Sequence, residues 1–177
     1  MLFRTLLLVS ALLLGTPTGP AAADDSDRPK WGAGGSWDIY VDRNVGNACY
    51  AVRTFLGGTA MLVSVRPDGG LDFVIGHDSW QFAETGKTYR LKFVFGNDKT
   101  YEEELEAVAL SSAVVLAHRM SAAFLSDFME TTSLLVYRQG SLIASVLLLD
   151  TYEAVTQLRT CDASAPGMID PSDPSLR

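Results

Sequence analysis

The sequence predicts an α+β fold: an antiparallel sheet, strongly curled or barrel-like, with two short helices late in the chain. Two observations lead to this prediction. Short apolar runs alternate with turn residues about every 8–15 positions through the middle of the chain. The apolar spacing then becomes helical after residue 120 and again after residue 150. Turns so closely spaced leave no room for helical crossovers, which favours an antiparallel meander over βαβ units.

The first half of the sheet is predicted from apolar runs that end in glycine-rich turns. The expected strands are 36–42, 48–56, 59–66 and 71–76. Residues 57–58 are both glycine, which tolerates the positive φ angles of a two-residue hairpin. Pro67-Asp68-Gly69-Gly70 predicts the next turn.

The second half of the chain combines two hairpins with two helices. The expected strands are 88–95, 100–109, 133–138 and 141–149. Apolar residues within 121–130 recur with helical spacing, which predicts an amphipathic helix. Asp150 followed three residues later by Glu153 is typical of a capping box, so a second helix is expected to begin there.

The N-terminal residues predict export. A basic Arg4, an apolar run over 6–14 and the small residues 21–23 match a secretory signal peptide cleaved after Ala23. We therefore divide the chain into a signal peptide (1–23), a flexible lead-in (24–35), a single β-rich domain (36–162) and a disordered tail (163–177). The expected location is the periplasm or the extracellular medium, with no membrane anchor after signal cleavage.

Cys49 and Cys161 are the only two cysteines of the chain. In an exported protein two cysteines usually pair, so we expect an intramolecular disulfide; a free thiol or an intermolecular bridge are the alternatives. Cys161 falls on the apolar stripe of the expected second helix, which favours a bridge from that helix to the second strand.

The charge balance is acidic. Without Arg4 the mature chain has 13 basic and 21 acidic residues, a net charge of −8, which argues against nucleic acid as a partner. Glu102, Glu104 and Glu106 would share one face of a strand. Cross-strand pairing of Lys92 with Glu104 and of Arg90 with Glu106 is expected if the turn leaves three loop residues. The three glutamates are either a solvated surface or a docking strip for a basic protein.

His77 and Asp78, followed by Ser79 and Trp80, are the only residues that suggest a nucleophile and a base. Neighbouring strand residues point to opposite faces, so we expect a structural loop with Trp80 at the edge of the core. The two histidines and two cysteines do not form a zinc pattern. The sequence predicts no catalytic residue, no metal site and no cofactor.

The Gly-rich lead into Trp37, the early Cys49, and the ending that runs from 147–150 through Ala154 to Cys161 give a layout that resembles small proteobacterial periplasmic proteins. It is similar in particular to the invasion-associated locus B family, whose members also run from Gly-x-Trp into strands. In that family the cysteine follows the tryptophan closely, whereas Cys49 lies twelve residues after Trp37. The resemblance implies a periplasmic protein and supplies no site residues.

Three functions are weighed. The first is an exported, non-enzymatic binding module that acts by protein–protein contact, as an inhibitor or partner of a basic envelope enzyme such as a peptidoglycan hydrolase. The second is a binder of a small apolar ligand inside the curled sheet. The third and weakest is a hydrolase with a dispersed site around His77 and Asp78.

Overall fold

The structure, a computed structural model of the full chain, describes residues 28–110 and 113–164. The expected signal peptide and most of the expected tail lie outside these residues. Ten strands and two helices follow in chain order: β1 (Lys30–Gly34), β2 (Trp37–Asp42), β3 (Ala48–Thr54), β4 (Thr59–Val65), β5 (Leu71–His77), β6 (Thr88–Phe95), β7 (Thr100–Leu110), β8 (Ala113–Met120), α1 (Ala122–Glu130), β9 (Ser133–Arg138), β10 (Ser141–Leu147) and α2 (Thr151–Ser164).

The strands form one antiparallel sheet in the order β1-β2-β3-β4-β5-β8-β7-β6-β9-β10. The expected meander therefore describes β1 to β5, and the two hairpins expected in the second half, β6–β7 and β9–β10, are also present. The meander is wrong in that β6 does not lie beside β5. Residues 78–87 carry the chain past two strand positions to β6, and β7 and β8 then fill the gap back towards β5. A loop of this length makes the skip possible, and closely spaced turns in the sequence do not reveal it.

The sheet curls without closing. The β10 end returns towards the first strands, where Arg53 of β3 donates to the Leu149 carbonyl at 2.6 Å. Trp80, in the loop after β5, donates to the Ile143 carbonyl of β10 at 3.2 Å. Both ends of the sheet, β1 and β10, keep one strand neighbour in the described sheet. The α+β class is confirmed, while the barrel-like form is not.

Strand β8 was missing from the sequence prediction. Its inner residues Leu116 and Met120 are buried opposite Ile75 and Leu71 of β5. No glycine or proline interrupts the sequence from 97 to 139, so the boundary between β7 and β8 has none of the usual turn signals.

Part of the expected flexible lead-in is also a strand. Lys30–Gly34 pairs with β2 through a tight turn at Gly35, whose φ is +58°. Gly34 is buried against the backbone of α2, where a Cβ would lie 2.5 Å from the Cα of Ala154. Gly34, one of the glycines that suggested flexibility, is thus required for close approach. At the other end, α2 continues to Ser164, two residues into the expected tail.

Aromatic rings fill the space enclosed by the sheet. Phe124 of α1 packs edge-on against three phenylalanines of the inner sheet face at centroid distances of 5.0–5.6 Å: Phe73, Phe93 and Phe95. Trp37 of β2 is fully buried and contacts Phe128 of α1 at 5.9 Å. Edge-to-face pairs of this kind stabilise beyond their buried area, by about 0.5–1.5 kcal/mol each.

Helix α2 and the two residues before it are joined to the first strands by several contacts. The Cys49–Cys161 disulfide joins it to β3, as the sequence predicted. Just before the helix, the Leu149 carbonyl accepts from the Trp37 indole at 3.1 Å. The Asp150 carboxylate accepts from the Ser36 amide at 3.0 Å, so this carboxylate joins the helix start to the β1–β2 turn. The expected capping box is therefore not the contact that the Asp150 carboxylate makes.

Among the described residues, no helix has both the length and the apolar character of a membrane span.

Candidate functional site

The acidic run lies on β7 as the sequence predicted, with Glu102, Glu104 and Glu106 all on the outer face of the sheet. The cross-strand partners differ from the prediction by two positions. Arg90 is opposite Glu104 and Lys92 is opposite Glu102.

The cause of this shift is the position of the turn. Phe95 donates its amide to the Lys99 carbonyl, so the three loop residues are 96–98. Asp98 occupies the left-handed region with a φ of 64°, as the last residue of a three-residue hairpin often does. The expected loop had the right length but began one residue too late, and this moves every cross-strand pair by two.

A surface groove of about 710 Å³ runs across the outer face of β5, β8, β7 and the start of β6. We call it the acidic groove because three carboxylates line it: Asp72, Glu104 and Glu106. Arg119 also lines it and lies 3.7 Å from Asp72, with four-fifths of its side chain exposed to solvent. The carboxylates therefore exceed the cations, and an exposed ion pair of this length compensates little of the excess.

A second groove of about 450 Å³ adjoins the first on β6 and β9. Its lining includes Arg90, Lys92, Tyr137 and Glu102, so cations exceed carboxylates there. We call it the basic groove. Arg90 marks the boundary, because its guanidinium donates to the Glu104 carboxylate at 3.2 Å. The outer face thus presents opposite charges side by side.

Sequence reasoning found the glutamates of the acidic groove but missed Asp72 and Arg119. These residues are brought beside β7 only because β8 lies between β5 and β7. Since β8 itself was not predicted, no signal in the sequence placed Asp72 near the glutamates. Glu102, which was grouped with them, lines the basic groove instead.

The imidazole ring of His77 binds the backbone of the turn that follows it. The Ser79 backbone amide and hydroxyl are both 3.0 Å from His77 Nδ1, and the ring stacks on Trp80 with an interplanar angle of 17°. The serine–histidine contact was not predicted. Because Nδ1 accepts from the backbone amide, the arrangement is that of a side chain that caps a turn. Trp80 packs against the core, as expected.

His118 lies on β8, where its Nε2 is 3.4 Å from a carboxylate oxygen of Glu103. Both side chains are about one-third exposed. Within the described ranges, no group of three or more histidine, cysteine, aspartate or glutamate residues is placed to hold a metal ion.

Asp127 of α1 joins the helix to the β6–β7 hairpin. Its carboxylate accepts from the Tyr101 hydroxyl at 2.5 Å and from the Asn97 amide at 3.0 Å. Burial, and then this hydrogen bond, raise the pKa of Tyr101 to about 12. The same hydrogen bond is the main reason that the pKa of Asp127 is lowered. The contact fixes the hairpin whose outer face presents the glutamates.

Comparisons with known proteins identify the fold. A solved structure, invasion associated protein B from Bartonella henselae, matches with a TM-score of 0.57 and 12% sequence identity, over 77% of this chain and 98% of that one. The expected resemblance to that family is thus confirmed for the fold alone. No family model matches the sequence, and no curated protein matches it.

Proposed function

We propose that this protein is an exported, non-enzymatic binding module that recognises a cationic segment of a partner protein through its acidic groove. A basic envelope enzyme such as a peptidoglycan hydrolase is the kind of partner expected, and the module would act as its inhibitor or accessory. The proposal of export is supported by the N-terminal sequence, by the disulfide and by the structural likeness to the Bartonella protein.

The observation that carries the proposal is the lining of the acidic groove. Asp72, Glu104 and Glu106 surround a cavity large enough for one or two long side chains, and the only arginine or lysine among its lining residues is Arg119. A lysine or arginine of a partner would find carboxylate acceptors from two directions. The adjoining Arg90 and Lys92 would repel a second cation and so fix the direction in which a basic segment binds.

The alternative, a small apolar ligand inside the curled sheet, is a weaker proposal. The enclosed space is occupied by α1 and by fully buried aromatic rings such as Trp37, Phe73 and Phe124. A ligand at that position would have to displace several of these rings, each of which stabilises the fold.

The proposal is tested with two double variants that remove the same charge. Glu104→Gln with Glu106→Gln neutralises the groove, whereas Glu130→Gln with Glu153→Gln neutralises two exposed glutamates of the helices. The tagged mature protein and both variants are incubated with the native envelope fraction at low and high salt. A basic protein recovered at low salt should be lost at high salt, lost with the groove variant and retained with the helix variant. Equal recovery by both variants would contradict the groove as the binding site.

A further inference from the structure

A surface depression with mostly apolar walls lies at the C-terminal end of α2. It has a volume of about 590 Å³. Its walls come from the segment before β3, the β4–β5 turn and the last turns of α2, and include Val45, Ala48, Val65, Pro67 and Ala163. We call it the helix-end groove. Its volume is within the range that holds small organic ligands, about 300–1,000 Å³.

The walls of this groove are joined covalently. Cys49 follows Ala48 in one wall, Cys161 precedes Asp162 in another, and the two cysteines form the disulfide. Val45 is 63% exposed, so its side chain adds apolar surface to the groove. The groove is thus a preformed apolar surface on a cross-linked frame.

Two arginines give the apolar walls a polar end. Arg159 of α2 is exposed and makes no ion pair or side-chain hydrogen bond among the described residues. Arg66 binds the Asp68 carboxylate through Nε and Nη2, but its Nη1 is buried without a hydrogen-bond partner in the described structure. A buried guanidinium donor without an acceptor is costly, and a shift of the Arg66 side chain towards the groove would let a ligand's oxygen accept from it.

One acidic side chain also lines the groove. Asp162 accepts from the Cys49 amide at 3.2 Å, and burial raises the pKa of its carboxyl group. The negative charge of Asp162 would weaken the binding of an anion in this groove. Removing that charge should therefore strengthen anion binding, whereas removing an arginine should weaken it.

We propose that the helix-end groove binds an amphiphilic carboxylate, with the apolar chain against Val45, Val65 and Pro67 and the carboxylate at Arg66 and Arg159. Guanidinium groups match the planar geometry of a carboxylate and bind it with two parallel hydrogen bonds. The inference is independent of the acidic groove, since none of these residues lines that groove.

The test uses the full mature chain with its disulfide intact and three probes with the same chain length: dodecanoate, dodecan-1-ol and dodecyltrimethylammonium. Binding is measured by calorimetry at concentrations below micelle formation. Dodecanoate should bind about tenfold more tightly than the alcohol, and the cation should bind most weakly. Arg159→Glu should weaken dodecanoate binding about tenfold, while Asp162→Asn, which keeps an oxygen acceptor for the Cys49 amide, should strengthen it severalfold.

The matched control is Lys87→Glu, which makes the same charge change at an exposed cation that lines neither the acidic groove nor the helix-end groove. It should leave dodecanoate binding unchanged. A dodecanoate with a nitroxide on its chain should also broaden the amide resonances of 45–48, 65, 66, 68 and 69 selectively. Equal affinity for all three probes, equal weakening by the Lys87 and Arg159 variants, or broadening elsewhere in the chain would each overturn the proposal.

Discussion

Gly34 shows how a single side chain can decide the position of an element. A Cβ at this residue would lie 2.5 Å from Ala154 Cα, a distance that real structures avoid, so an alanine must push β1 away from α2. Gly34→Ala should lower the free energy of unfolding by about 1–3 kcal/mol. Gly32→Ala in the same strand is the matched control, because a Cβ added there would meet no atom within 4 Å. Thermal unfolding measures both; equal melting temperatures would show that the hairpin does not dock as described.

Asp127 should make stability depend on acid pH. Its folded pKa is lowered below the ordinary 3.8, mainly by the Tyr101 hydroxyl. The folded state therefore favours the carboxylate, and the stabilisation is present above the unfolded pKa and lost as pH falls through the folded value.

Asp127→Asn should thus be less stable than the parent at neutral pH, and the difference should shrink below pH 3.8. Denaturant unfolding from pH 7 to pH 2 measures this. Glu130→Gln, which removes an exposed carboxylate of the same helix, should show a smaller dependence. A stability difference between Asp127→Asn and the parent that stays constant to pH 2 would contradict the role of the Tyr101 contact.

The elements that sequence reasoning found are those with local signals. The turn at 57–58 was predicted from two glycines, and both have positive φ. The two-residue hairpin was wrong, however, because the Phe55 amide donates to the Thr59 carbonyl and leaves the three loop residues 56–58. Helix α1 was predicted from its apolar spacing, and Ser121 caps it by accepting from the Phe124 amide. Such signals depend on a few neighbouring residues, so the elements they mark can be predicted without knowledge of the fold.

The elements that were missed depend on distant partners. Strand β1 pairs with β2 and packs Gly34 against α2, and β8 pairs with β5 from more than forty residues away. The acidic groove spans β5, β8 and β7, which are neighbours only because β8 lies between the other two. Its glutamates, which lie together on β7, were therefore predicted, but Asp72 of β5 was not. A one-residue change in the turn before Lys99 was also enough to alter every pair between β6 and β7.

The disulfide between α2 and β3 is predicted to carry a large share of stability. It joins residues 112 positions apart, and closing so long a loop contributes on the order of 4–5 kcal/mol in the chain-entropy model. Replacement of Cys49 and Cys161 by alanine should lower the melting temperature by roughly 10 °C. Differential scanning calorimetry measures this, with reduced parent protein as the comparison. A change of less than about 2 °C would mean that packing alone holds the helix.

Over the whole molecule, the charges are clustered by sign rather than evenly distributed. The chain has a net charge of −7, yet the outer sheet face places Arg90 and Lys92 directly beside the glutamates of β7. Overall acidity would attract a basic partner from a distance, and the boundary between the two grooves would orient it on contact. The same fold in the Bartonella protein, at 12% identity, does not carry these residues over by itself, so the function must be tested on this chain.

Site-directed photo-crosslinking from the acidic groove tests this account most directly. A benzophenone side chain at Ala117, which lines the groove, is compared with one at the exposed Ala123 of α1 in the living host. The account predicts that position 117 captures a basic protein through a peptide rich in lysine or arginine, that position 123 does not, and that Glu104→Gln with Glu106→Gln abolishes the adduct. The same adducts from both positions, or an adduct that survives neutralisation of the groove, would contradict it.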